Sequence, residues 1–256
     1  MNTFILSAYS LCKREIVRYL RQKSRIIGTV ATPIVFWLII GFGFGNSFTF
    51  SDTGYLKYFF SGTLLLVILF SSIFSNISII EDRNEGFLQS VLVSGASRMS
   101  IVFGKIFGIT IIAFLQGFIT LIFASTFIEI SFSFIEIVST VSILFLISFF
   151  LACFGFIFAW KINSTQGFHA IMNLVFVPLW ILSGALFSEK VSAKFLSYIM
   201  YANPLFYCLN ILRYVLYINN EKYRSMVFDF NISIFFTLIF TLLTFFISIQ
   251  LVKKTK

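Results

Sequence analysis

The sequence predicts an all-α, polytopic membrane protein with six transmembrane helices, and three observations carry that prediction. Of its 256 residues, 59% are apolar and 11% charged, whereas soluble domains carry roughly 25% charge. The mean hydropathy is +0.97, more apolar surface than one globular core can hide, and 37 phenylalanines with 10 tyrosines suit a lipid-facing exterior. Six charge-free runs each approach or exceed the length that crosses a hydrocarbon core of about 30 Å at about 1.5 Å per residue, and the stretches between them hold nearly all the ionisable groups.

The first 25 residues precede the spans. A helix drawn through 7–25 puts Tyr9, Cys12, Ile16 and Leu20 on one face and Arg14, Arg18, Arg21 and Arg25 on the other, the division of a helix lying in the membrane interface. Two readings stand: a positive-inside anchor, or an interfacial lever touching a cytosolic partner. Span one, 26–44, is longer than a usual signal-peptide core and no small-x-small site closes it, so it reads as an uncleaved anchor. The other spans are 58–80, 106–128, 137–160, 170–187 and 232–252. Pro33 and Pro178 are expected to bend spans one and five.

Segment 81–105 begins with Glu81, Asp82 and Glu85, continues through Gly86, and closes on a Ser-Gly turn before Arg98. Phe87, Leu88, Val91 and Leu92 form an apolar ridge on a short helix. The ridge reads either as a cytosolic docking surface for a protein or as an amphipathic helix resting on headgroups. After span five, 188–231 starts polar and then runs through Asn203, Pro204 and Tyr207 to Arg213. The helix following Pro204 would be about 20 Å long, too short and too charged for a seventh span. A broken element dipping into the outer leaflet is expected, tolerated only where protein or water covers its backbone; a surface hairpin at the rim is the other reading.

Thirteen Lys/Arg fall on one side of this alternation: Lys13, Arg14, Arg18, Arg21, Lys23, Arg25, Arg83, Arg98, Lys105, Lys161, Lys253, Lys254 and Lys256. Six fall on the other: Lys57, Lys190, Lys194, Arg213, Lys222 and Arg224. The richer side is expected to be cytosolic, with both termini. Trp160 falls at the inner boundary and Tyr55, Tyr58, Tyr198, Tyr201 and Tyr207 near the outer one, while Trp37 and Trp180 read as packing residues.

Several functions lack their chemistry. The formal charge of +9 lies between apolar runs rather than on a soluble basic module, which argues against nucleic-acid binding. Cys12, Cys153 and Cys208 sit in separate compartments of this topology, and His169 is the only histidine, so neither a disulfide framework nor a metal site is indicated. The middles of the spans carry no ionisable residue of the kind ion-coupled transporters use, since Glu129, Glu136 and His169 fall at span ends. No intramembrane catalytic motif and no phosphate-cradling Gly-x4-Gly-Lys-Ser/Thr is present. If ATP drives this protein, another chain hydrolyses it.

These elements in this order resemble the membrane subunit of type-2 ABC exporters, the ABC-2 permease family. The likeness rests on Glu85-Gly86, Leu88, Val91-Leu92, Ser97-Arg98 and Gly104-Lys105; on Leu182-Ser183-Gly184-Ala185-Leu186-Phe187; and on Asn203-Pro204-Leu205, Tyr207 and Leu212-Arg213. Phe87 stands where the family commonly has threonine and Gly95 where it commonly has proline. The resemblance implies a single ABC-2 type transmembrane domain over 1–256 in a cell inner (plasma) membrane. It implies two ATPase subunits holding ATP and Mg, and a second permease copy, identical or paralogous; this chain binds no cofactor itself. It further implies that a coupling helix with Glu81, Asp82, Glu85, Gly86, Phe87, Leu88, Val91, Leu92 and Arg98 contacts the ATPase, aided by the N-terminal interfacial helix with Arg14, Arg18, Arg21 and Arg25. Asn203, Pro204, Tyr207 and Arg213 would form an outer re-entrant gate. The cargo would be lipophilic, lipid-linked or polymeric and would leave the cytoplasm. The alternative is an ATP-independent secondary transporter or a membrane assembly or anchoring factor.

Overall fold

The structure, a computed structural model, describes residues 3–43, 54–128, 133–190, 192–218 and 227–254. Phe44, Glu129, Lys222, Arg224 and Lys256, used above, lie outside the described residues. In chain order the helices are α1 Thr3–Arg21, α2 Lys23–Gly43, α3 Gly54–Asn84, α4 Phe87–Val93, α5 Arg98–Ala124, α6 Phe134–Lys161, α7 Thr165–Ala185, α8 Lys194–Ala202, α9 Pro204–Leu216 and α10 Phe230–Lys254. Six of them, α2, α3, α5, α6, α7 and α10, are long and apolar enough to cross a membrane. The chain is therefore an all-helical polytopic membrane protein. The apolar pair α8 and α9 meets at an 89° bend around Asn203.

The central helix α3 packs against α2, α5 and α6, and α10 closes the bundle against α6, α9 and α5. Side chains that meet lipid in this arrangement are apolar, such as Ile119 and Ile122 on α5 and Leu242 and Phe246 on α10. Indole N–H groups inside the bundle find carbonyls: Trp37 donates to Leu56 O at 3.0 Å and Trp180 to Gly62 O at 2.8 Å. Both are packing residues, as their places off the aromatic belt suggested.

Helix ends are tied down by side chains, because terminal backbone groups have no partner within the helix. Arg83 donates to the carbonyls of Trp160, at 2.6 Å, and Ile162 at the end of α6. Arg98 donates to Lys253 O at 2.8 Å in the last turn of α10. The Ser97 hydroxyl caps α5 by accepting from Ser100 N–H at 3.1 Å. These ties gather α1, α4 and the ends of α3, α6 and α10 at one end of the bundle, called proximal here; the opposite end is distal.

The segment 7–25 is not one helix. The chain breaks at Gln22, and Arg25 belongs to α2, where its first-turn N–H groups return to Gln22 O. The stripe of α1 that faces the bundle is Leu11, Glu15 and Tyr19, while Tyr9 and Leu20 of the apolar face are exposed. Two glycines on α5 explain this orientation. A Cβ on Gly104 would lie 2.7 Å from Ala8 O and Leu11 Cβ, and one on Gly108 would lie 2.8 Å from Glu15 Cβ. Small residues four apart let two helix backbones approach closely, so α1 lies directly along α5.

Substituting Gly104→Leu should therefore undock α1, at an overpacking cost of about 1–3 kcal/mol. The expected readout is a lower melting temperature in detergent together with faster maleimide labelling of half-buried Cys12.

Candidate functional site

At the proximal end, six charged side chains from three helices meet. Asp82, fully buried at the end of α3, accepts a two-pronged bond from Arg14, with Nη1 to Oδ2 and Nη2 to Oδ1 both at 2.8 Å. Arg18 bridges the same carboxylate at 2.7 Å and Glu81 at 2.5 Å. Lys105 of α5, also fully buried, pairs with Asp82 and with Glu15 of α1, the latter at 2.5 Å. Ser78 donates to the other Glu15 oxygen at 2.5 Å. Three cations thus face three carboxylates, which is the condition under which buried charge is tolerated.

Burial opposes the Arg14 charge, but the hydrogen bonds and field of Asp82, with Glu15 and Glu85, more than offset it and hold its pKa above the ordinary guanidinium value. The Arg14 guanidinium also lies 3.7 Å over the Phe87 ring, a cation–π contact that links the charge cluster to α4.

Helix α4 hangs between two left-handed glycines, Gly86 at φ +75 and Gly95 at φ +82. Proline, fixed near −65°, cannot take the Gly95 conformation. The apolar ridge is not the exposed surface expected from the sequence. Leu88 is buried against Leu11 and Ile101, with Phe87, Val91 and Trp160 packed around them. In a helix of seven residues, the face carrying 87, 88 and 91 turns toward the bundle, since burying a Leu is worth about 1.5–3 kcal/mol. The outward side carries Glu85 and Gln89, with Leu92 42% and Val93 88% exposed.

Of the other sequence-selected residues, Glu81 stays with the cluster while Arg21, Arg98 and Arg25 separate from it. Glu81 is half-buried with Arg18, Arg21 is exposed, Arg98 holds α10, and Arg25 donates to Gln22 Oε1 at 2.6 Å and Phe74 O at 2.5 Å. Sequence reasoning missed Glu15 and Ser78, and it used Lys105 as an inner-side charge and as part of the Gly104-Lys105 motif without placing it in this cluster. A signal existed for Glu15: it is the sole carboxylate in the first 51 residues, amid six Lys/Arg, and it shares a face with Leu11 and Tyr19 at four-residue spacing.

The distal residues do converge. Helix α7 contains two π-helical stretches, Met172–Phe176 and Ile181–Ala185, on either side of Pro178, and turns left-handed at Gly184, φ +88. Irregular backbone needs outside partners in a membrane, and α9 supplies them. Arg213 donates to Gly184 O at 2.7 Å and Ser61 Oγ at 2.9 Å, and stacks 4.1 Å over Tyr58. Asn203 caps α9 by accepting from Leu205 N–H at 3.0 Å and donates to Leu179 O at 2.6 Å. Pro204 starts α9, and the Tyr207 hydroxyl donates to Tyr201 O at 2.7 Å across the bend.

Sequence comparison supplies the family. Residues 7–217 match the model of the ABC-2 type transporter membrane domain; the chain belongs to that family and is the permease component of an ABC-2 type transporter. It is also similar to a protein of Cyanophora paradoxa named "Putative transport permease ycf38", 27% identical over 259 residues that span 98% of this chain and 89% of the relative.

The cluster makes an ordered stability prediction. Lys105→Met leaves two buried carboxylates short of a cation and should cost about 3–5 kcal/mol. Lys105→Met combined with Glu15→Met removes a pair and should melt above either single variant; detergent melts check the order.

Proposed function

We propose that the chain exports a lipophilic or lipid-linked cargo from the cytoplasm, driven by ATPase subunits carried on separate chains, with the proximal end cytosolic. The bias of Lys/Arg toward that end supports the orientation. Family members of this kind generally pair with an ABC ATPase, and a second permease copy completes the assembly. In this reading α4 is the coupling helix, touching the ATPase through Glu85, Gln89, Leu92 and Val93. Phe87, Leu88 and Val91 anchor it to α1 and α5.

The observation that carries this reading is Val93, 88% exposed on a helix seated on the bundle by Phe87 and Leu88. An exposed apolar pair on a clamped water-facing helix is a docking feature. Asp82, Arg14 and Arg18 act behind it, transmitting force between α4 and α1 rather than touching the partner. The distal bend at Asn203, with Arg213 bracing Gly184, would be the outer gate of the cargo path.

Pull-down of the tagged chain in mild detergent should bring a soluble polypeptide with a Walker-type phosphate loop in equal amount. Leu92→Glu with Val93→Glu should reduce that recovery about tenfold or more, the scale of one lost interface anchor, with an unchanged melting temperature. Full recovery by the double variant excludes α4 as the contact.

A further inference from the structure

Most exposed positions of the spans among the described residues are apolar, and a region between α2 and α3 contrasts with them. Between α2 and α3, toward the proximal end, Arg25, Gly28, Thr29, Thr32, Phe70 and Phe74 line an open groove of ≈ 310 Å³. Its walls are an apolar pair of rings on one side and a small or hydroxylated stripe on the other, with a guanidinium at its proximal limit. Gly28 and Thr32 are exposed, and a Cβ added at Gly28 would meet nothing within 4 Å. The groove is open because that position has no side chain.

The Arg25 guanidinium has no carboxylate within 4 Å among the described residues. Glu81 and Glu15 of the charge cluster act on it only at longer range, and Glu81 is engaged by Arg18 at 2.5 Å. Arg25 uses donors on Gln22 Oε1 and Phe74 O, and a guanidinium carries five. A half-buried cation with no carboxylate in contact is costly, and an anion in the groove would relieve that cost.

A second polar feature flanks the same floor. The His169 ring of α7 lies 5.9 Å from the Phe74 ring, and His169 and Asn173, four residues apart on α7, are both exposed. Exposed polar side chains on a span are unfavourable against lipid tails, so this bank suits a polar headgroup better than hydrocarbon.

We propose that this groove binds an anionic amphiphile from the proximal-side leaflet, with the acid group on Arg25 and the chain along Phe70 and Phe74. Charge complementarity selects the occupant: an apolar chain alone leaves Arg25 unpaired, and a water-soluble anion leaves the Phe70–Phe74 wall uncovered. The inference deepens the export reading by naming the cargo's chemical class and rests on it for the leaflet. The binding itself needs no ATPase, so the two can fail separately.

The test reconstitutes the full chain in nanodiscs of equal phosphatidylglycerol and phosphatidylcholine, extracts it in detergent, and counts retained lipid by native mass spectrometry. The wild type should retain phosphatidylglycerol preferentially. Arg25→Gln should cut that preference about tenfold, the scale of a lost charge-assisted hydrogen bond, and Arg25→Lys should restore part of it. Gly28→Leu, which leaves both Arg25 bonds in place, should abolish retention while melting at the wild-type temperature. Undiminished retention in Gly28→Leu, an unchanged preference in Arg25→Gln, or a wild-type dimer whose second copy fills the groove and leaves no lipid would each overturn the proposal.

Discussion

Asp82 is the residue on which the proximal architecture turns. It is a fully buried carboxylate at the end of the central helix, and it holds Arg14 and Arg18 of α1 and Lys105 of α5 at once. Removing such a charge from water is expensive, and only several well-placed cations offset the cost. Once they do, three helices from distant parts of the chain have no freedom to separate. The close approach of α1 to Gly104 and Gly108 is the steric side of the same constraint, because only with α1 that near can Glu15 reach Lys105.

From that clamp the rest of the proximal end follows. Arg14, fixed by Asp82, offers its face to Phe87, and Phe87 with Leu88 seats α4 on the bundle. The two left-handed glycines let so short a helix reverse direction twice without strain. Leu92 and Val93 are left exposed. The distal end obeys a different logic. There α7 is irregular, and its freed carbonyls are taken by Asn203, Arg213 and Tyr58, so the bent pair α8–α9 is held by the same groups it satisfies.

The spans were legible because crossing a bilayer is a demand on local composition: about 20 apolar residues in a row suffice to mark one. The distal cluster was legible in part, since Asn203-Pro204 announces a helix start and Arg213 is conspicuous among apolar neighbours. The proximal site was less so. Its partners on different helices are 23 to 90 residues apart in sequence, and no local pattern records which carboxylate meets which cation. The apolar ridge of α4 was found, yet its direction was not, because periodicity identifies a face without saying whether water or protein covers it. The break at Gln22 was missed for a similar reason: the 3.6-residue pattern runs through it.

The central claim is that α1 and α4 form one rigid unit behind the exposed face of α4. The most direct measurement is the spin-label distance between positions 13 and 90, in a background lacking the three native cysteines, with and without a trapped nucleotide-bound partner. The account requires one narrow distance distribution, unchanged by the partner. A broad or two-peaked distribution in the intact chain, or a shift on partner binding, would contradict it.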